Sequence, residues 1–367
     1  MSRWRRSRIY TLSTMMALME YADRNTSFIR RLNLIFRFSY TFPFFMASVC
    51  GSLFALLFFD PPVHVVVLMP SVVLLLAIFV NFSNDYFDHR SGVDKIRFRE
   101  KEEMAKAMLS DSELLKKIYW EGNPFDDGLV TDKQGKIIMA VLVILSVALA
   151  IPIVLHGGLM VILFGAVGIF LSYFYTAPPL DLGARGLGET DVAVSFFMLV
   201  FCSFYVATID ASNVDNVIFS MNFLDTNIFV LALGIFNTEI FVFAVIIGTM
   251  VGLMRLTDSM SGQEAHIANG EKSISVRFGL NGTVKIAKVF VVFAYVMTAV
   301  MAFLNPMYLL LFLTIPLMLK AWKIMTEKGE LWMMKVPPLF FGTAFLTELL
   351  FIGAIIVVKV FSIQWWF

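Results

Sequence analysis

The sequence predicts an all-helical integral membrane protein, a bundle of nine transmembrane helices with its N-terminus inside and its C-terminus outside. Three observations carry that expectation. Of 367 residues, 59% are hydrophobic and only 16% charged, whereas soluble domains carry about 25% charged residues. Mean hydropathy is +0.79, and apolar stretches near the roughly 20 residues needed to cross a bilayer recur along the chain. Threaded as nine spans, the chain places 28 of its 29 Lys and Arg residues on one side, with Lys359 alone on the other. Positive charge collects on the cytoplasmic side of membrane proteins, so the orientation follows.

Met1–Arg37 is basic and interrupted by polar residues, with Arg3, Arg5, Arg6 and Arg8 near its start. It has no short apolar core with a cleavage site. It is expected to lie on the inner membrane surface beside anionic lipids. The spans are expected at 39–59, 64–83, 137–155, 158–177, 190–209, 230–254, 286–304, 306–319 and 337–358. The outer loops at Asp60–His64, His156–Gly158, Asp210–Thr226 and Asn305–Met307 contain no Lys or Arg.

The longest inner loop covers 84–136. In it Met104, Met108, Leu115 and Ile118 approximate helical spacing, which predicts an interfacial amphipathic helix over 100–120. Asn123-Pro124-Phe125-Asp126-Asp127-Gly128 then stops it with turn chemistry. The domain plan is a basic segment, 1–37, and one transmembrane domain, 38–367, with an insertion at about 98–122. Cys50 and Cys202 fall within spans and read as small buried hydrophobes. A net charge of +1 without a basic domain gives no reason to expect nucleic acid as a partner.

The chemistry concentrates at the inner end of the second span. Asn81, Asn84, Asp85 and Asp88 recur at helical steps of three and four and share a face if the helix continues inward. Gly92 then ends the helix, and Asp94 can return to the same point. Ionisable groups at membrane depth are costly and mark sites. Hard oxygen ligands in this number suit Mg2+, which binds one or two carboxylates together with phosphate oxygens. Bare carboxylates would repel a diphosphate, and a bridging cation reverses that sign. Glu239 and Glu348 lie inside spans, where a neutral, hydrogen-bonded structural role is favoured.

Asn84-Asp85-Tyr86-Phe87-Asp88, with Gly92 and Asp94, resembles the first motif of the UbiA superfamily of intramembrane prenyltransferases. It is closest to the dihydroxynaphthoate prenyltransferase branch of menaquinone biosynthesis. Tyr175-Thr176-Ala177-Pro178-Pro179-Leu180 and Arg185-Gly186-Leu187-Gly188-Glu189 resemble that family's loop after the fourth span. Gly270-Glu271-Lys272-Ser273-Ile274-Ser275-Val276-Arg277-Phe278-Gly279 resembles the segment closing its second motif.

The resemblance implies Mg2+-dependent transfer of an isoprenyl group from an allylic diphosphate donor to an aromatic or polar lipid acceptor, at the cytoplasmic face of the cell membrane. It makes Asn84, Asp85, Asp88 and Asp94 candidate metal ligands, with Asp88 also a catalytic candidate. Tyr175 is a candidate catalytic ring for the allylic cation, and Tyr173 and Arg185 belong to the acceptor or prenyl pocket. Lys95, Arg97, Lys272 and Arg277 are candidates for the diphosphate, and the positive-inside rule would also explain each.

The second motif departs from the family pattern. Counting back from Gly270, the two expected aspartates fall at Gly262 and His266. Asp258 lies on the same helical face one turn earlier, with Glu264 nearby. Asp258 and Glu264 are therefore expected to stand in as metal ligands, Asp258 with a catalytic part. His266 would bond to diphosphate or a metal-bound water, since Mg2+ selects oxygen. The alternative is a weakened or lost second metal site. That would suit a relative that binds or transports isoprenoid lipids, and a prenyl diphosphate cyclase is a further possibility.

Overall fold

The computed structural model describes residues 28–92, 123–208, 237–261, 263–268, 270–329 and 332–360. Most of the basic N-terminal segment, the predicted 100–120 helix, the 210–226 loop and Asp94, Lys95, Arg97 and Gly262 lie outside the described residues. The helices are α1 (Phe28–Phe36), α2 (Phe38–Ala55), α3 (Val63–Ser91), α4 (Asp132–Gly158), α5 (Met160–Phe174) and α6 (Gly188–Thr208). They continue as α7 (Thr238–Ser261), α8 (Gln263–Ala268), α9 (Ile274–Leu304), α10 (Ile315–Glu327), α11 (Trp332–Lys335) and α12 (Pro337–Val360). Among the described residues, seven helical segments are long and apolar enough to cross a membrane. Two shorter apolar helices, Tyr40–Ala55 and Met160–Phe174, accompany them.

Glycine and proline set the boundaries. Gly158, at φ 62, separates α4 from α5 at the expected loop. Gly92, at φ 76, ends α3, its N–H donating to the carbonyls of Asp88 and His89. Gly279, at φ 65, breaks α9 near its start, and the helix runs from Ile274, well before the expected residue 286. Pro306–Thr314 is a 3-10 helix that runs into α10, where a single span was expected over 306–319.

α3 carries the span expected over 64–83 onward as helix through the polar turns to its glycine cap at Gly92, the stop expected from the sequence. Its 29 residues rise about 43 Å, against a hydrocarbon core of about 30 Å. The polar turns therefore project beyond the apolar zone as helix, not loop.

α7 lies at the centre, with 72% of its apolar window buried. It packs on α6, α9 and α12, and its Phe243 ring stacks on Phe351 at 3.6 Å between centroids. Small residues permit close approach: a Cβ at Gly51 of α2 would lie 2.1 Å from the Val200 carbonyl oxygen, so that position admits glycine alone. α3 joins the α4–α5 hairpin through Val65, Val72, Ile153 and Val161, and through Ile78, Phe79 and Leu142. Cys50 and Cys202 are buried free thiols, as expected. Glu239 accepts from the Tyr308 hydroxyl at 2.7 Å, a structural bond.

Candidate active site

The C-terminal end of α3 keeps Asn81, Asn84 and Asp88 on successive turns of one helix. Asp85 is drawn elsewhere. Its Oδ1 meets Nη2 of Arg37 at 2.7 Å, and the residue is 3% exposed. Arg37 sits at the α1–α2 junction with φ 48, a left-handed break that separates the two helices. The turn at 124–128 clasps the same helix end. Asn123 Nδ2 donates to the Asp85 carbonyl at 2.7 Å, and the Phe125 ring lies against Phe82, Tyr86 and His89. His89 Nδ1 and Asp126 Oδ1 are 2.7 Å apart. Turn chemistry legible in the sequence thus props the motif helix.

Asn84 Oδ1 and Asn81 Nδ2 are buried with no hydrogen-bond partner. An unsatisfied buried polar atom costs about 1–3 kcal/mol. A carboxamide oxygen in that state, one turn from a carboxylate, fits the oxygen-ligand chemistry of a hard cation.

The second polar region is built from two interlocked loops. The Lys272 amide donates to the Ala184 carbonyl at 2.7 Å, and Arg277 Nη2 donates to the Arg185 carbonyl at 2.9 Å. The Ile274 amide donates to Oε1 of the buried Glu189 at 3.1 Å. Gly186, at φ 82, lies in the seam. Arg185 itself donates to the Pro179 carbonyl at 2.8 Å.

Tyr175 lies under these loops, its hydroxyl bonded to Nε of Arg255. Burial raises its phenol above the ordinary value, and the Arg255 charge opposes that shift. Burial likewise raises Asp181 above the ordinary carboxylate range, opposed by the Ala184 N–H. Arg255 Nη1 also holds Asp258 Oδ2 at 3.1 Å.

The structure brings Tyr175, Arg185, Asp258, Lys272 and Arg277 into one assembly of loops and helix ends. Glu264 is exposed on α8. His266 is 2% exposed and its Nδ1 is engaged by Glu271. Among the described residues, no three His, Cys, Asp or Glu side chains are placed to hold a metal ion together. The two regions meet through the end of α5. Tyr173 packs edge-on against Phe87 at 5.8 Å, next to Asp88, while Tyr175 two residues on takes Arg255. Tyr173 and Phe87 also line an apolar groove of about 480 Å³ with Phe79, Tyr86, Met139 and Val143.

Reasoning from the sequence missed Arg37, Arg255, Glu189 and Asp191. Arg255 had a signal in its spacing of three from Asp258 on a helix. Asp191, 7% exposed with Oδ1 unpartnered, had one as the second of two acids in the first turn of an apolar span. Arg37 had none, because its partner is remote in sequence.

Fold and site define a helical membrane protein with a polar, carboxylate- and guanidinium-bearing crown of helix ends and loops. The chain belongs to the UbiA prenyltransferase family, whose model matches residues 42–335, and it is a prenyltransferase.

The fold is that of solved UbiA homologues. The apo homologue from Aeropyrum pernix K1 has a TM-score of 0.56 at 13% identity, covering 88% of this chain and 98% of that one. The homologue from Archaeoglobus fulgidus bound to GPP and Mg2+ has a TM-score of 0.55 at 14% identity, covering 89% and 99%. A structure of digeranylgeranylglyceryl phosphate synthase has a TM-score of 0.53 at 16% identity, covering 89% and 98%. Among curated proteins no match is found.

Proposed function

We propose that the chain is a Mg2+-dependent intramembrane prenyltransferase that moves an isoprenyl group from an allylic diphosphate to an aromatic, naphthoate-like acceptor or to a polar lipid. The carrying observation is the buried, unpartnered carboxamide oxygen of Asn84 one helical turn from Asp88. Asn84 and Asp88 would hold the ion, with Asp94 beyond the described residues. When bound, Mg2+ supplies positive charge to a departing diphosphate. Binding of Mg2+ with GPP by the Archaeoglobus homologue supports the same pairing here.

The chain's own residues do the rest. Lys272 and Arg277 present cations at the loops, with Lys95 and Arg97 near the first motif. The apolar groove beside Tyr86 and Tyr173 receives the isoprenyl chain and keeps water away. The ring faces of Tyr173 and Tyr175 favour positive charge developing on the allylic carbon as its bond to oxygen breaks. The acceptor then attacks that carbon. The match to the dihydroxynaphthoate branch in the Asn-Asp-Tyr-x-Asp run favours menaquinone synthesis. The one-sided distribution of Lys and Arg over nine expected spans supports a site at the cytoplasmic face of the cell membrane.

The test is incubation of purified protein with labelled geranylgeranyl or farnesyl diphosphate, Mg2+ and a panel of acceptors. Transfer is expected, lost on chelation and lowered by at least about a hundredfold in Asp88→Ala. Full activity in that variant would reject the site. Tight donor binding without turnover of any acceptor would favour a lipid-binding relative instead.

A further inference from the structure

We propose that this chain holds its diphosphate substrate with one divalent cation at the end of α3, and that the Arg255 guanidinium supplies the second positive charge. This rests on the function proposed above. It replaces the expectation that Asp258 and Glu264 hold a second ion.

The residues at the second motif do not suit a metal. Gly262 has no ligand atom in its side chain. His266 is buried, engaged by Glu271, and offers nitrogen to an ion that selects oxygen. Glu264 is exposed on α8, and no three acidic or imidazole groups converge among the described residues. Asp258, the remaining candidate, is ion-paired with Arg255 at 3.1 Å. A divalent cation on that carboxylate would sit against a fixed guanidinium and be repelled by it.

Arg255 is placed for the opposite task. Tyr175 and Asp258 fix its orientation through Nε and Nη1. Its remaining N–H groups have no hydrogen-bond partner among the described residues, and its side chain is 18% exposed. A guanidinium held on one edge presents a planar fork that matches two phosphate oxygens. The end of α5 bridges the two helices, since Tyr173 touches Phe87 of α3 and Tyr175 touches Arg255 of α7. On this reading one ion on α3 and one guanidinium on α7 serve a single headgroup.

The experiment uses the full chain in nanodiscs, Mn2+ as the metal probe and geranyl S-thiolodiphosphate as a donor analogue that does not ionise. Bound Mn2+ is counted by paramagnetic resonance and analogue affinity measured by dialysis. The wild type is expected to take one Mn2+ per chain with the analogue. Arg255→Met keeps that count and weakens analogue binding by about tenfold to a hundredfold.

Asp258→Asn releases the guanidinium from its counter-ion, so affinity is held or raised with the count unchanged. A metal-binding Asp258 would instead lose an ion and affinity, so this variant decides even where Arg255→Met does not fold. Two Mn2+ per wild-type chain, unchanged affinity in a folded Arg255→Met, or weakened binding in Asp258→Asn each overturn the proposal. A wild type that binds no analogue with or without Mn2+ sinks the functional assignment above instead.

Discussion

Gly186→Ala would separate the two loops that build the polar crown. A Cβ there would lie 2.1 Å from the Lys272 carbonyl oxygen and 2.7 Å from Arg277 Nη2. The carbonyl is backbone and cannot swing aside. The position also has φ +82, where a non-glycine residue costs about 1–2 kcal/mol. Relieving the clash requires moving the 270–277 strand of chain, which puts the Lys272–Ala184, Arg277–Arg185 and Ile274–Glu189 bonds at risk. Loss of even one or two such bonds, at about 1 kcal/mol each, brings the local penalty to about 3 kcal/mol.

That corresponds to about a hundredfold more opening. Hydrogen exchange resolves local opening of this kind. The Lys272 and Ile274 amides are expected to lose about a hundredfold in protection, while amides of α7 hold theirs. Gly342 on α12 is the control, since nothing lies within 4 Å of its would-be Cβ. There alanine is expected to be neutral, or stabilising by about 0.5–1 kcal/mol. Unchanged exchange at Lys272 in Gly186→Ala would refute the claim that the loops are locked through this seam.

Arg37→Met leaves the 3%-exposed Asp85 carboxylate without that guanidinium, at a cost of about 3–5 kcal/mol. Thermal unfolding in detergent should show the loss, and adding Asp85→Asn should recover part of it. No difference between single and double variants would mean the pair carries little stability. Glu348 of α12 is fully buried, and neither carboxyl oxygen has a partner. Glu348→Leu, similar in volume and free of the unmet polar atoms, is expected to hold or raise the unfolding temperature. A clear fall would show that the carboxyl has a bonding role.

The membrane bundle and the first motif were legible because their signals are local. Apolar length, the one-sided distribution of Lys and Arg, and the three- and four-residue spacing of Asn81, Asn84 and Asp88 need no knowledge of partners. Gly92, Gly158 and the Asn123–Gly128 turn were equally readable, because positive φ and turn chemistry belong to single residues and short runs. Hydropathy marks where the second span leaves lipid, near 83, and the glycine cap at Gly92 marks where the helix itself ends.

Partner choice was a different matter. From sequence, Asp85 and Asp258 are two more acids in two acidic motifs, equally fit to hold a cation. In the folded chain each has an arginine within about 3 Å, Arg37 and Arg255. One of those partners, Arg37, lies outside the acid's own helix, at the α1–α2 junction. Composition and periodicity determined that this is a membrane helix bundle with an acidic helix end. Only the tertiary structure decided which acids are already neutralised, because charge interactions depend on distance in space and strengthen away from water.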